Sequence, residues 1–213
     1  MNAESMSRPD AGPAVARVRA LAEQRLDGRR YRHCVGAAET ASALCERYGY
    51  DADSGYLAGL AHDLCKQSEI HTQIELARSF DGPLPESVFS NPRLPHGPAA
   101  AVLLAREGLS TDPAVLEAVA YHTFGKSGMG PVALAVYIAD KIEPSRRDWA
   151  STIRLGIDEG RFDGDGGLVR LATATIEAML DRIVAEDGRP VADTTLVLYN
   201  SLSGKSVREW PVR

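Results

Sequence analysis

Apolar residues recur at every third or fourth position along most of this chain, while runs alternating apolar with polar are essentially missing. The pattern predicts helices joined by short connections. A first helix runs from about Pro13 to Asp27 and is ended by Gly28. A second spans "RRYRHCVGAAETASALCERYG" (29–49), where Cys34, Ala38, Ala41, Cys45 and Tyr48 make an apolar stripe and Gly49 is the stop. Asp53 or Ser54 caps a third, running to about Lys66, and "IHTQIELARSF" (70–80) forms a fourth. Residues 81–98 are rich in proline and read as loop, with His96 just before the helix "AAAVLLARE" (99–107). Thr111 or Asp112 caps the next helix, Pro113 sits in its first turn and Gly125 closes it. "VALAVYIADKIE" (132–143) is apolar on nearly every side, which predicts a central buried helix stopped by Pro144. A turn-rich stretch (158–167) leads into an amphipathic helix over 167–188, and a last helix begins near Asp193. The fold class is therefore all-α: one domain over 13–213 behind a flexible polar tail at 1–12, with no internal repeat.

Composition narrows the class. Apolar residues make up 44% and charged residues 25% of 213, the balance of an ordinary globular domain. A net charge of −5 gives no basic footprint for nucleic acid, yet leaves room for a small anion at a local positive site. No signal-peptide core is expected at the N-terminus, and no run approaches the roughly 18 to 20 apolar residues of a membrane span. Cys34, Cys45 and Cys65 are odd in number and form no CxxC, so they read as small core residues in a reducing cytoplasm.

The chemistry lies in ionisable residues that interrupt apolar runs. "AGLAHDLCKQ" (58–67) carries His62 and Asp63 side by side in a core-like segment. Neighbours on a helix point about 100° apart, so the pair cannot share one face. His33 borders the apolar stripe of the second helix, and His122 continues the Val115/Val119 stripe inward. His96 sits at a helix start, where free N–H groups favour anions. His71 has no such context and reads as surface. Asp140 lies on the all-apolar helix, where an unpaired carboxylate is costly unless a cation holds it. Two inward aspartates and several inward histidines on separate helices are the ingredients of a metal site with nitrogen and oxygen donors, suited to iron, manganese or zinc. Lys66, three residues after Asp63, is a candidate phosphate clamp, and Arg30 and Arg146 could serve likewise; for each, a solvated role is the plain alternative.

The order His33, His62-Asp63, Asp140 resembles the HD-domain superfamily of metal-dependent phosphohydrolases. "RYRHCVGAAETA", "AGLAHDLCK", "LPHGPAAAVLLARE", "AVAYHTFGKSGM" and "VYIADKIEPSR" resemble the YqeK-type branch, and the likeness runs over about 20–205. It implies a compact helical HD-domain fold and symmetrical hydrolysis of diadenosine tetraphosphate to two ADP. It implies that His33, His62, Asp63 and Asp140 hold an iron-like metal, as one ion or two. His96 and His122 would contact phosphate or complete a second metal site. Arg30, Lys66, Thr123 and Arg146 would bind the substrate's phosphates or ribose, with Asp63 and Lys66 acting in catalysis. In the family's C-terminal motif Thr195 and Asn200 line up, but Tyr199 replaces an arginine; the loop at 158–166 is longer than expected. The implied partner is a small nucleotide, with no nucleic acid and no membrane; a homodimer is compatible with the reading. Two rivals stand beside it: an HD-domain nucleotidase or signalling-nucleotide phosphohydrolase, and a non-catalytic nucleotide-binding regulatory module.

Overall fold

The computed structural model describes residues 12–146, 149–187 and 193–210. The tail expected at 1–12 lies outside the described residues except for Gly12, which caps the first helix. The elements are α1 (Pro13–Arg25), α2 (Gly28–Arg47), α3 (Ala52–Ala61), α4 (Ile70–Ala77), α5 (Ser87–Ser90), α6 (His96–Arg106), α7 (Pro113–Tyr121), α8 (Pro131–Ile142), α9 (Trp149–Asp158), α10 (Gly167–Arg182) and α11 (Asp193–Ser203). A π-helical turn, Ile183–Asp187, follows α10. Among the described residues there is no strand, and no helix is long and apolar enough to cross a membrane.

Helix α8 is the axis of the fold. It touches α2, α3, α7, α9 and α10. Val132 through Ala139 and Ile142 are all buried, as the all-round apolar pattern predicts. Around it α2 and α3 approach closely because small residues face each other. A Cβ on Gly59 would lie 2.7 Å from the Ala38 Cα, and one on Gly55 would lie 3.1 Å from the Ala41 carbonyl oxygen. Gly97, at the start of α6, is pressed in the same way onto the last turn of α7, 2.7 Å from the Ala120 carbonyl oxygen.

Several boundaries differ from the expectation. Gly28 opens α2 instead of ending α1, because Asp27 accepts the Arg30 N–H and caps the helix there. Asp51, not Asp53 or Ser54, caps α3 through the Asp53 and Ser54 N–H groups. Helix α3 stops at Ala61, not at Lys66; Leu64 N–H bonds Ala61 O and Lys66 N–H bonds Asp63 O, a series of tight turns. The Gly59 carbonyl, which a continuing helix would offer to Asp63, instead accepts the His62 Nδ1–H at 2.6 Å. His96 is the first residue of α6 and not a residue before it. Helix α9 falls in a stretch to which the hydrophobic pattern assigned no element.

The contact between α2 and α3 yields a prediction. Gly59→Ala forces a methyl group against backbone, which cannot yield as a flexible side chain would. Stability should fall by roughly 1–3 kcal/mol, read as a lower denaturant midpoint at unchanged slope. An unchanged midpoint would contradict this packing.

Candidate metal centre

Four helix ends and one helix flank meet at a single point. His33 lies in the second turn of α2. His62 and Asp63 follow α3, His96 opens α6, His122 follows α7, and Asp140 lies in the last turn of α8. The sequence-level puzzle of adjacent His62 and Asp63 resolves here, because a helix end lets the two side chains turn into one space from different directions.

Distances divide the cluster into two overlapping triads. In the first, His33 Nε2 is 3.2 Å from His62 Nε2 and 3.1 Å from Asp140 Oδ1. Asp63 Oδ2 lies 3.5 Å from His62 Nε2 and 3.9 Å from His33 Nε2. In the second, Asp63 Oδ1 is 3.2 Å from His96 Nε2 and 3.7 Å from His122 Nε2, and those two nitrogens are 3.1 Å apart. The two oxygens of Asp63 thus face different histidine pairs. His33, His62 and Asp63 form one group able to hold a metal ion, and Asp63, His96 and His122 form another.

Hydrogen bonds on the far side of three of the four rings fix what they offer inward. His62 Nδ1 faces the Gly59 carbonyl at 2.6 Å, and His122 Nδ1 faces the Val119 carbonyl at 2.8 Å. A carbonyl can only accept, so both rings carry their proton on Nδ1 and present a bare Nε2 lone pair. His33 Nδ1 lies 3.0 Å from the buried carboxylate of Glu143, which likewise draws the proton outward. The His33 and His62 lone pairs, 3.2 Å apart and beside carboxylate oxygens, repel unless a cation sits among them, and the His96 and His122 nitrogens stand equally close at 3.1 Å. Donors bound about 2.0–2.2 Å from one ion stand roughly 3.0–3.4 Å from each other, so the observed spacing suits a shared metal. The donor set is nitrogen and oxygen only. Cys34 and Cys65 are buried, and burial pushes their thiols up, that of Cys65 to about 11, so neither offers a thiolate near neutrality.

The ionisation states agree. Burial lowers the pKa of His62, His96 and His122, keeping them neutral, as ligands must be. Burial would raise the Asp63 carboxyl, but a proton entering the cluster goes to a facing His62, His96 or His122 before it goes to Asp63, and the carboxyl stays well below the usual range. For Asp140 burial is likewise outweighed, here by the Lys141 charge and the His33 hydrogen bond. His33 is the exception: burial would lower its pKa, but bonds to Asp140 and Glu143 raise it.

The expected clamps are at the rim. Arg30 Nη1 donates to Asp63 Oδ2 at 2.8 Å, and Arg146 Nη2 donates to Asp140 Oδ1 at 3.0 Å. Lys66 Nζ is 3.3 Å from His96 Nε2, and Thr123 Oγ1 is 2.9 Å from His122 Nε2. Asp140 is 17% exposed, so it faces an opening and is not sealed in the core as its sequence context suggested. His71 is exposed and outside the cluster. Among the described residues, no hydrogen bond joins Thr195 or Asn200 to the metal-facing atoms. Asn200 bonds both the N–H and the carbonyl of Val207, and so closes the chain's own C-terminal turn.

Two residues escaped the sequence reading. Glu143 accepts from His33 and also from Ser145, through its backbone N–H and its hydroxyl. Lys141 is buried, donates to the His122 carbonyl at 3.0 Å, lies 3.4 Å from Asp140 Oδ2 and stands over the Tyr137 ring. A signal for Glu143 existed in Gly36, one turn after His33: a Cβ there would come within 2.9 Å of Glu143 Oε2.

The model of the HD domain family matches residues 30–145. The chain is 32% identical over 185 residues to a symmetrical bis(5'-nucleosyl)-tetraphosphatase of Bacillus subtilis, across 86% of this chain and 94% of that one. It is 34% identical over 133 residues to the enzyme of the same name from Staphylococcus aureus, across 62% of this chain and 68% of that one. In three dimensions it is similar to the crystal structure of a predicted HD superfamily hydrolase involved in NAD metabolism from Clostridium acetobutylicum. The TM-score is 0.76 at 26% identity, with 89% of this chain and 96% of that one covered.

Replacing Asp63 by Ala removes the carboxylate shared by both triads, and metal content should fall to background. Glu143→Gln should keep the fold, by circular dichroism, but weaken metal affinity on the order of 10- to 100-fold. Full metal content in Asp63→Ala would exclude the site as drawn.

Proposed function

We propose the function of this chain from one premise: it belongs to the HD-domain family. It is a metal-dependent hydrolase of dinucleoside tetraphosphates that cleaves symmetrically, so that diadenosine tetraphosphate and water give two ADP. The observation that carries the reading is Asp63, whose two oxygens face two histidine pairs. The names of the Bacillus subtilis and Staphylococcus aureus relatives support the substrate and the symmetry of cleavage. The resemblance implies iron, the nitrogen and oxygen donors suit manganese or zinc as well, and the two triads would hold one ion or two. His33, His62, Asp63 and Asp140 would hold the first; Asp63, His96 and His122 would hold the second.

Such ions supply Lewis-acid charge and a water of lowered pKa. The chain's own part is positioning and charge. Asp63 orients the attacking water and draws its proton. The water oxygen forms a bond to one of the two inner phosphorus atoms as the bridging oxygen departs with ADP, carrying the electron pair. Arg30, Lys66 and Arg146 stand at the rim, where they offset charge on the phosphoryl oxygens and the leaving diphosphate. Thr123 can donate a hydrogen bond to the same oxygens. The reading treats 13–213 as one HD-type domain, and the three free, buried cysteines suit a reducing cytoplasm.

Chromatography of the products decides the reaction. ADP alone is expected from diadenosine tetraphosphate, and AMP with ATP would overturn symmetrical cleavage. Lys66→Ala should retain metal but lose roughly 10- to 100-fold in kcat/KM, the effect of one charge-assisted phosphate contact. Loss of metal in that variant would contradict the role given to Lys66.

A further inference from the structure

Beside the metal-facing cluster the surface opens into a cavity of about 420 Å³, within the range of small-molecule sites. Its lining is of two kinds. Thr123, Asp140 and Arg146 belong to the cluster and its rim and are polar. Trp149 and Met179 add an aromatic face and a thioether, with Arg182 also in the lining. Trp149 is the first residue of α9 and Met179 lies in the last part of α10, so two helices outside the metal cluster build this part of the lining. Trp149 packs only in part against the core and keeps some exposure where it borders the cavity. Polyphosphate alone would need cations and donors and would gain nothing from an indole face. A nucleoside diphosphate needs both kinds: cations and hydroxyls for the phosphates, an aromatic face for the base.

We propose that this cavity is the nucleoside subsite of the enzyme, with the base of one ADP half stacked on Trp149 and its phosphates running past Arg146 to the cluster. The inference rests on the hydrolase reading above and adds to it the place where one nucleoside is held. The distance from the stacked base to the cluster then sets which phosphorus meets the water. Stacking on an aromatic face tolerates different bases, so Trp149 gives grip and register and not discrimination between purines. Arg30 and Lys66 lie on the other flank of the cluster, and the second half of the substrate extends towards them.

The chain has two tryptophans, and the second, Trp210, packs edge-on against Tyr199. In metal-loaded Trp210→Phe protein, emission therefore comes from Trp149 alone. ADP should quench or shift it, and inorganic pyrophosphate should not. Trp149→Ala should raise KM for diadenosine tetraphosphate on the order of tenfold or more with a much smaller change in kcat, and Trp149→Phe should recover most of that loss. Emission unmoved by ADP, equal responses to ADP and pyrophosphate, or an unchanged KM in Trp149→Ala would each overturn the subsite. The two readings fail separately. Quenching by ADP in a protein that makes no ADP from the dinucleotide upholds the subsite and removes the reaction; ADP production with unmoved emission removes the subsite and leaves the reaction.

Discussion

The constraint that shapes this molecule is the crowding of imidazole lone pairs and carboxylates into a space that only a cation can make favourable. Asp63 is buried with its two oxygens facing four histidine rings, and at least two of those rings turn bare nitrogens towards it. In solvent such groups would separate and hydrate. Here they are held by atoms that have no other freedom: the carbonyls of Gly59 and Val119 and the carboxylate of Glu143. The cost of burying them unpaired is several kcal/mol per group. The arginines at Asp63 and Asp140 offset part of that cost, and a bound metal would offset the rest.

The fold meets the constraint by ending helices where the ligands are needed. His62 and His122 occupy equivalent positions, each just past a helix, each with Nδ1 bonded to the carbonyl three residues back. Terminal carbonyls of a helix have no partner of their own. Each ring satisfies one of them, and in doing so sets its own tautomer. The following residue, Asp63 or Thr123, is released from the helix and swings towards the same centre. Close packing at Gly59 and Gly97 then brings these ends within ligand distance, so the site depends on glycines that offer no ligand atom themselves.

This explains which parts of the site could be read from the sequence. His62-Asp63 and Asp140 were legible because each breaks an apolar run, and burying an ionisable group there needs a reason. His33 was legible from its place beside the stripe of α2. Glu143 was not, because "KIEPSR" looks like a solvated helix end before a proline; only the approach of α2 to α8 turns that carboxylate inward under His33. The extent of α3 is not legible for a related reason. Leu64 and Cys65 continue the apolar pattern and are buried, but tight turns bury them as well as a helix would. Helix α9 is hard to read from the sequence because it is only ten residues long, with Ala150, Ile153 and Gly156 buried and Trp149, Arg154 and Ile157 half-buried.

The C-terminal segment bears on where the substrate's charge is met. Tyr199, which stands where the resembling family has an arginine, is fully buried. Its hydroxyl donates to Glu177 Oε1 at 2.8 Å and accepts from Lys205 Nζ at 2.9 Å, while Trp210 packs edge-on to its ring and donates to Asp181. With Asn200 committed to Val207, α11 is bound to α10 by contacts that leave Tyr199 and Asn200 no free polar atom for a phosphate. An arginine at 199 would carry a charge into this packing, which the tyrosine avoids. The positive charge at the rim of the cluster comes from Arg30, Lys66 and Arg146, with Lys141 buried behind Asp140. α10 serves both purposes at once: Glu177 and Asp181 fasten the C-terminal segment, while Met179 and Arg182 line the cavity beside Asp140. In this chain the C-terminal segment therefore acts on the site indirectly, by fixing the helix that carries one cavity wall.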